Sequence, residues 1–507
     1  MGVIIRQSIK STLSNYIGIG LAFLSLFLLQ PLFYTPKELG AVRLLIESAA
    51  VLSSFALMGT NYSINRYFPH FQTADKKHHG FFFWAFTIPM LGYLLVLLGL
   101  LFFREPLLSL FKKDAALLGP LYPMLVFMVL FSLYQTVMET CAANHGRTAI
   151  PNFLREVLLR SFVITSGFCF YKGWLSFSES LWLMSAAYGL VFFFNIFFIR
   201  KLTLIHLKPD FQFLKDNPGL KQDMVRYTGF LFLGGLTGLI ISKIDFFMVS
   251  SMKMLDDTAI YSIGFYLAML IDIPKRTLLQ IATPVFSRHM RAKEHDEIER
   301  LYKRSTLNQF MVATLLFYLI WINVDNMYAI MPRGEYYAQG KWVVFLIGIT
   351  RLIDALGASA GPIIANSPYY AWTLINFLIA LTASIIANYL LIPIYGINGA
   401  AMGTLITFLF TQSFGIFIIH LKIKIHPFTK NKGILMVIFI GMMVLSFTGR
   451  WIESPVLESI LKTSILGGTY MYLLYAFNIS HEVNSLVNKY ISKITGNRIR
   501  KLPGFHP

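Results

Sequence analysis

The sequence predicts an all-α polytopic membrane protein with about fourteen transmembrane helices, and three observations carry that prediction. Of its 507 residues, 56% are hydrophobic and only 14% are charged, where a soluble chain carries about a quarter. The apolar residues come in blocks such as 81–103 and 370–392, each near the ~20 residues that cross ~30 Å of hydrocarbon as a helix. Lys and Arg crowd into alternate loops, with about three times as many on one side as on the other, which is the positive-inside pattern.

The spans run at 11–34, 40–66, 81–103, 120–143, 152–171, 179–199, 226–250, 259–284, 306–324, 341–366, 370–392, 399–421, 434–450 and 462–479. The first holds the apolar run Leu13 to Leu29 and lacks a small-x-small cleavage site, so it reads as an uncleaved helix. Placing the basic loops inside puts both termini in the cytosol. The longer outer loops, 104–119 and 325–340, are too short to fold as domains. On the cytosolic side, 201–225 is a linker, and 287–305 is charged throughout and expected to be helical at the membrane surface. The tail, 480–507, places Val483, Leu486, Val487, Tyr490, Ile491 and Ile494 at helical spacing, the pattern of an amphipathic interfacial helix. The chain thus divides into six spans within 1–200, the linker, six spans within 226–421, two more within 434–479, and the tail. Spans one and two resemble spans seven and eight in outline. Each pair closes with Pro and Phe on the cytosolic side, at Tyr67 to Phe71 and at Ala282 to Phe286, so the repeat is parallel.

A net charge of +19 would suit nucleic acid if it formed one patch. Here it is scattered over many loops, so no nucleic-acid partner is expected and the lipid bilayer is the partner. Cys141 and Cys169 sit in apolar segments and read as small core residues. No His, Cys and carboxylate set has metal spacing; His78 and His79 are neighbours in a polar loop.

The informative residues are the charges inside the spans, each costing about 2.5–3.5 kcal/mol at the bilayer centre on insertion scales. Arg43 and Glu47 lie in the outer part of span two, Lys243 and Asp245 in the outer third of span seven, and Glu139 near the inner end of span four. Arg351 and Asp354 are near the middle of span ten; Asp272 is at mid-depth in span eight, with Lys275 and Arg276 deeper. Local matches exist at i,i+4 (Arg43 and Glu47; Asp272 and Arg276) and at i,i+3 (Arg351 and Asp354; Asp272 and Lys275). Structural ion pairs would account for any one of these; their spread over several helices favours a shared polar cavity. Lys243 and Asp245 point about 200° apart on a helix and cannot pair with each other. Asp245 is in phase with Gly234 and Gly238, a G-x-x-x-G stripe suited to close helix contact.

Three stretches carry a family resemblance: IDFFMVSSMKMLDDTAIYSIGFYLA from Ile244, IPKRTLLQIATPVFSRHM with Pro274 and Pro284, and PIYGINGAAMGTLI from Pro393. With the fourteen-span layout, the chain resembles the polysaccharide (O-antigen-type) flippases of the multidrug/oligosaccharidyl-lipid/polysaccharide exporter superfamily. The resemblance implies two six-helix lobes around a central cavity plus two C-terminal helices. It implies a bacterial cytoplasmic membrane and alternating access, and a substrate of polyprenyl-pyrophosphate-linked oligosaccharide. A pyrophosphate needs cationic donors in a low-dielectric cavity, for which Arg43, Lys243, Arg351, Lys275 and Arg276 are the candidates. Glu47, Glu139, Asp245, Asp272 and Asp354 are the candidates for cavity support or for coupling to a proton or Na⁺; no other cofactor is expected. A polysaccharide polymerase or glycosyltransferases are the expected protein partners.

The nearest alternative is a lipid II flippase of the same superfamily. A multidrug exporter fits less well, because a cavity rich in basic groups suits an anion. A membrane polymerase, ligase or glycosyltransferase would be expected to carry catalytic residues on a large outer loop. A nucleotide-driven pump is disfavoured: in GEYYAQGKW, five residues separate the glycines and Trp342 stands where Ser or Thr belongs.

Overall fold

A computed structural model describes residues 2–488, apart from 74, 76, 112, 113, 447, 448, 482 and 486. The expected interfacial helix of the tail lies largely outside the described residues. Among those described there is no strand. The chain divides into two compact units, Met1–Ser262 and Ile263–Pro507.

The first unit contains α1 (Gly2–Leu24), α2 (Pro36–Ala56), α3 (Thr60–Phe71), α4 (Phe81–Phe102), α5 (Tyr122–Asn144), α6 (Arg160–Tyr171), α7 (Phe177–Leu202) and α8 (Pro218–Met252). Two helix starts follow directly from sequence. Thr35 and Glu38 form a capping box ahead of α2, with Pro36 in its first turn, and Ser176 and Glu179 do the same for α7. α5 is the hub of the unit and packs against α2, α3, α4 and α7. Its side chains Met128, Val129, Leu133, Val137 and Met138 are buried. The linker is fixed to the turn before α4. Thr203 shares a 2.8 Å hydrogen bond with the His78 ring, and Asp210 one of 2.9 Å with the His79 ring. The His79 bond and the Phe213 N–H hold the Asp210 carboxyl below the usual range.

The second unit completes α9 (Leu255–Met269), which straddles the division, and adds α10 (Ile273–Ala292), α11 (His295–Ile330), α12 (Lys341–Gly357), α13 (Ala371–Ile423), α14 (Lys430–Leu445), α15 (Pro455–Lys462) and α16 (Gly468–Ala476). α11 is the hub here and packs against α10, α12, α14 and α15. It buries Tyr302, Phe310, Phe317, Tyr318 and Tyr328. The charged segment 287–305 is helix–turn–helix: α10 runs on to Ala292, Lys293 turns with φ 57°, and α11 begins at His295.

Eight helices among the described residues are long and apolar enough to cross a membrane, so the chain is a multi-pass membrane protein. The ranges 370–392 and 399–421 are two helices that meet across a kink at Gly396, with φ 60° and ψ −134°, within α13. Pro393 removes a backbone donor at this break. Other expected spans are interrupted by π turns at Leu154–Leu159 and Thr463–Gly467 or by a 3-10 turn at Leu270–Asp272. The glycine stripe of α8 also differs from expectation. A Cβ at Gly234 or Gly238 would meet nothing within 4 Å, whereas one at Gly235 would lie 2.3 Å from the Tyr62 hydroxyl. The close contact is therefore one residue out of phase with the stripe.

Candidate functional site

Each unit carries its own network of charges within its helices. In the first unit, Lys243 on α8 meets Glu47 on α2 at 2.7 Å, with the Glu47 side chain 7% exposed. One turn earlier on α2, Arg43 donates to the Gln30 amide oxygen, and Gln30 in turn donates to Ser25 at 3.0 Å. Ser25 begins a π turn that ends α1. A second centre forms where α5 meets the segment ahead of α6. Arg155 bridges Glu139 at 2.6 Å and Glu156 at 3.0 Å, Arg160 holds the other oxygen of Glu156 at 2.7 Å, and Gln135 donates to Glu139 at 3.0 Å. Arg155 and Glu156 lie in the π turn Leu154–Leu159, an irregularity that often marks functional positions. Glu156 has room because residue 18 is glycine: a Cβ there would come within 2.6 Å of the glutamate Cβ. Arg43, Glu47 and Arg160 all act electrostatically on the Tyr188 phenol, which joins the two centres.

Lys243 and Asp245 diverge as helical phase requires. Asp245 is 3% exposed. One of its oxygens accepts from the Tyr261 hydroxyl on α9, the other from the Phe246 N–H at 2.8 Å. It therefore ties α8 to α9.

In the second unit the network is built on a helix restart. Asp272 closes the 3-10 turn after α9, and Pro274, which has no N–H to give, sits in the first turn of α10. Lys275 and Arg276 follow at once. Asp272 meets Lys275 at 3.2 Å and Arg276 at 3.0 Å. Lys275 also pairs with Asp354 on α12, whose other oxygen accepts from Gln412 on α13 at 2.7 Å. Arg351 lies 3.9 Å from Asp354 and over the Phe408 ring, 4.7 Å from its centroid. The Arg276 side chain is 65% exposed.

The sequence-predicted charges thus fall into two groups: Arg43, Glu47, Lys243 and Glu139, with Asp245 beside them, and Asp272, Lys275, Arg276, Arg351 and Asp354. Sequence reasoning missed Arg155, Glu156 and Arg160, which lie near the start of the expected span 152–171. It also missed Gln30, Gln412 and Tyr261, uncharged residues that give no signal until the fold supplies their partners. The first group holds four basic side chains, Arg43, Lys243, Arg155 and Arg160, and four carboxylates, Glu47, Glu139, Glu156 and Asp245; the second holds Lys275, Arg276 and Arg351 with Asp272 and Asp354. Neither is a metal centre by composition; no group of three metal-ligating side chains occurs among the described residues. Chemically, each network gathers cationic hydrogen-bond donors within its helices, groups suited to an anion.

Comparison with known proteins places the fold. The fold is similar to that of the lipid II flippase MurJ in an inward closed conformation, with a TM-score of 0.66 and 13% identity over 94% of this chain and 100% of that one. It is also similar to an inward-facing multidrug resistance MATE family transporter of the MOP superfamily, with a TM-score of 0.62 and 14% identity over 81% of this chain and 98% of that one. A MOP superfamily transporter from Pyrococcus furiosus aligns with a TM-score of 0.55 and 14% identity, over 83% and 95% of the two chains. No curated protein sequence matches. The sequence family of polysaccharide biosynthesis proteins matches residues 4–290. The chain belongs to that polysaccharide biosynthesis protein family and has the fold of the MOP superfamily transporters.

Proposed function

We propose that this protein is a flippase that moves a polyprenyl-pyrophosphate-linked oligosaccharide from the inner to the outer leaflet of a bacterial cytoplasmic membrane by alternating access, with both termini cytosolic. The observation that carries this reading is the gathering of basic side chains on carboxylates at membrane depth in a chain of this family. A cation at membrane depth is costly to hold, and a pyrophosphate brings negative charge to it. Arg43, Lys243, Lys275, Arg276 and Arg351 serve as phosphate donors, joined by Arg155 and Arg160. The carboxylates keep these cations charged between transport cycles. The test is flipping of labelled lipid-linked oligosaccharide in liposomes, read as exposure of its sugars to an impermeant reagent. Lys243→Ala and Arg351→Ala are each expected to lower the rate about tenfold, the scale of one lost charged hydrogen bond. Normal flipping by both at normal protein levels would overturn the assignment. A change in sugar chain length during the assay would point to a polymerase instead.

A second reading is lipid II flipping. The likeness to MurJ spans 94% of the chain, against 81% for the MATE transporter. The two readings share the pyrophosphate chemistry and differ in the sugar, so competition between lipid II and the lipid-linked oligosaccharide in the same liposomes separates them.

A further inference from the structure

The linker between α7 and α8 carries a surface that has no part in the charge networks. Three of its apolar side chains, Leu204, Leu207 and Phe211, are each more than half exposed although they lie outside the apolar spans. The segment is nevertheless held firmly. Beyond the His78 and His79 bonds, the Phe213 ring stacks on His79 with centroids 4.1 Å apart and meets the Phe71 ring at 4.9 Å. The Lys208 carbonyl closes on Gly80, where φ is 65° and a Cβ would come within 2.3 Å of that oxygen. The short helix Phe211–Asp216 turns Phe213 about 200° away from Phe211 and brings Phe211 and Lys215 to one side at i,i+4. One side of the linker is thus committed to the protein, and the exposed apolar side is the other.

The level and the charge of that side identify what covers it. The Phe211 ring sits edge to face with Trp84, 5.6 Å between centroids. Trp84 is in the first turn of α4, and tryptophan marks the membrane–water interface. Upstream, α7 exposes Leu190, Phe193 and Phe197, a hydrocarbon stripe at helical spacing suited to lipid tails. The Lys201 ammonium lies 4.4 Å over the Phe197 ring, and Leu204 follows three residues later. The apolar surface therefore runs from a lipid-facing helix onto the linker at interface depth. Residues 200–216 hold Arg200, Lys201, Lys208 and Lys215, all exposed, against Asp210 and Asp216. Asp210 is engaged by His79, and Asp216 accepts from Gln212 at 2.8 Å. Exposed hydrocarbon flanked by lysines at the interface is the composition of a segment that lies on anionic lipid.

We infer that residues 204–215 form a membrane-surface anchor for anionic phospholipid: Leu204, Leu207 and Phe211 seat among the upper acyl chains, and Lys208 and Lys215 take the headgroup phosphates. The inference goes beyond the flippase reading and does not depend on the substrate; only the leaflet, the cytosolic one, rests on the orientation given there. The segment leads through Asn217 into α8, whose start is tied to α3 by the 2.6 Å hydrogen bond that Tyr67 donates to Asp223. The anchor therefore fixes the depth at which α8 enters the membrane.

The test uses the full chain in vesicles of mixed phosphatidylcholine and phosphatidylglycerol, with a diazirine on the upper acyl chain of one lipid or the other. The phosphatidylglycerol probe is expected to label the peptide covering 204–215 more strongly, by about fivefold for each of Lys208 and Lys215, the scale of one lysine at an anionic surface. Raising the salt from about 0.1 to about 1 M shortens the screening length from ~10 to ~3 Å and should remove that preference. Lys208→Gln and Lys215→Gln are each expected to cut labelling by the phosphatidylglycerol probe about fivefold and to leave the other probe's label unchanged. Leu207→Asn should instead lower both labels. All three positions are on the surface, so one variant serves if another fails to fold. Absence of label from both probes would leave the patch open to a protein partner and overturn the inference. Equal labelling by the two probes at low salt, unmoved in the lysine variants, would overturn it as an anionic site. Trypsin cleavage within 287–305 in sealed inverted vesicles, and not in right-side-out ones, supports the cytosolic leaflet. The opposite pattern overturns that orientation, and the lipid contact then stands or falls on the labelling alone.

Discussion

At the scale of single residues, the Lys243–Glu47 pair separates structure from transport. Removing one partner of a buried ion pair costs about 3–5 kcal/mol because the other charge is left uncompensated, whereas replacing both with apolar groups of similar size is close to neutral. Lys243→Met alone is therefore expected to lower the melting temperature in detergent, and Lys243→Met with Glu47→Leu to restore it. Flipping is expected to stay low in both, since the cation is gone. Recovery of flipping in the double variant would make the pair purely structural. Lys432 gives a second test. It is 4% exposed at the start of α14, and its ammonium donates to Thr306 and to the Pro427 carbonyl, both at 2.6 Å. Burial pushes it down from 10.5 to about 7. Between those values the unfolded chain binds a proton that the folded chain lacks, so this residue makes stability rise with pH across that window, its cost being full below about 7. Thermal unfolding from pH 7 to 10 should show that rise, and Lys432→Met should flatten it; equal slopes would count against the assignment. The intramembrane charges were legible as residues because charge is rare in apolar blocks. Helical phase alone forbade Lys243 from pairing with Asp245. The partners they do take, Glu47 and Tyr261, were not legible, because they belong to other helices.

At the scale of elements, glycine marks where a helix is constrained and where it is not. Gly399 presses on the chain before the break in α13, and a Cβ there would sit 2.2 Å from the Leu391 carbonyl oxygen. That oxygen is backbone and cannot swing aside, so Gly399→Ala forces the break to open, at a cost of about 1–3 kcal/mol for overpacking. Gly238→Ala meets nothing and is expected to be neutral or stabilising by up to ~1 kcal/mol through helix propensity. Melting temperatures of the two variants in the same detergent check this, and a loss of stability in Gly238→Ala would restore the close-contact stripe. The helices themselves were legible from the lengths of the apolar blocks. Their interruptions were less so. Pro274 and the Pro393–Gly396 turn announce a break, because one lacks an N–H and the other supplies a positive φ. The π turn at Leu154–Leu159 carries neither residue. Its sequence sign is the charged run Arg155, Glu156 and Arg160 near the start of the expected span 152–171, where charge next to a loop does not stand out.

At the scale of the whole molecule, the two units raise the question of what drives transport. In the second unit one carboxylate joins three helices: Asp354 on α12 receives Lys275 from α10 and Gln412 from α13, and Lys275 also meets Asp272 before α10. If a phosphate takes Lys275, Asp354 loses its main counter-charge and becomes the better site for a proton or Na⁺. Substrate binding and ion binding at Asp354 then favour each other, and linkage makes that preference reciprocal. The wild-type flipping rate in liposomes is therefore expected to respond to an imposed proton or Na⁺ gradient. Asp354→Asn keeps the side chain's shape and one acceptor oxygen but cannot change charge. It is expected to lose the gradient response while retaining a slow basal rate, about tenfold below wild type. Asp245→Asn serves as the contrast. It weakens the tie between α8 and α9 and should lower stability, yet leave the gradient response in place. A gradient response that survives in Asp354→Asn, or is lost equally in Asp245→Asn, would remove ion coupling from the second unit's network and leave its carboxylates as cavity support.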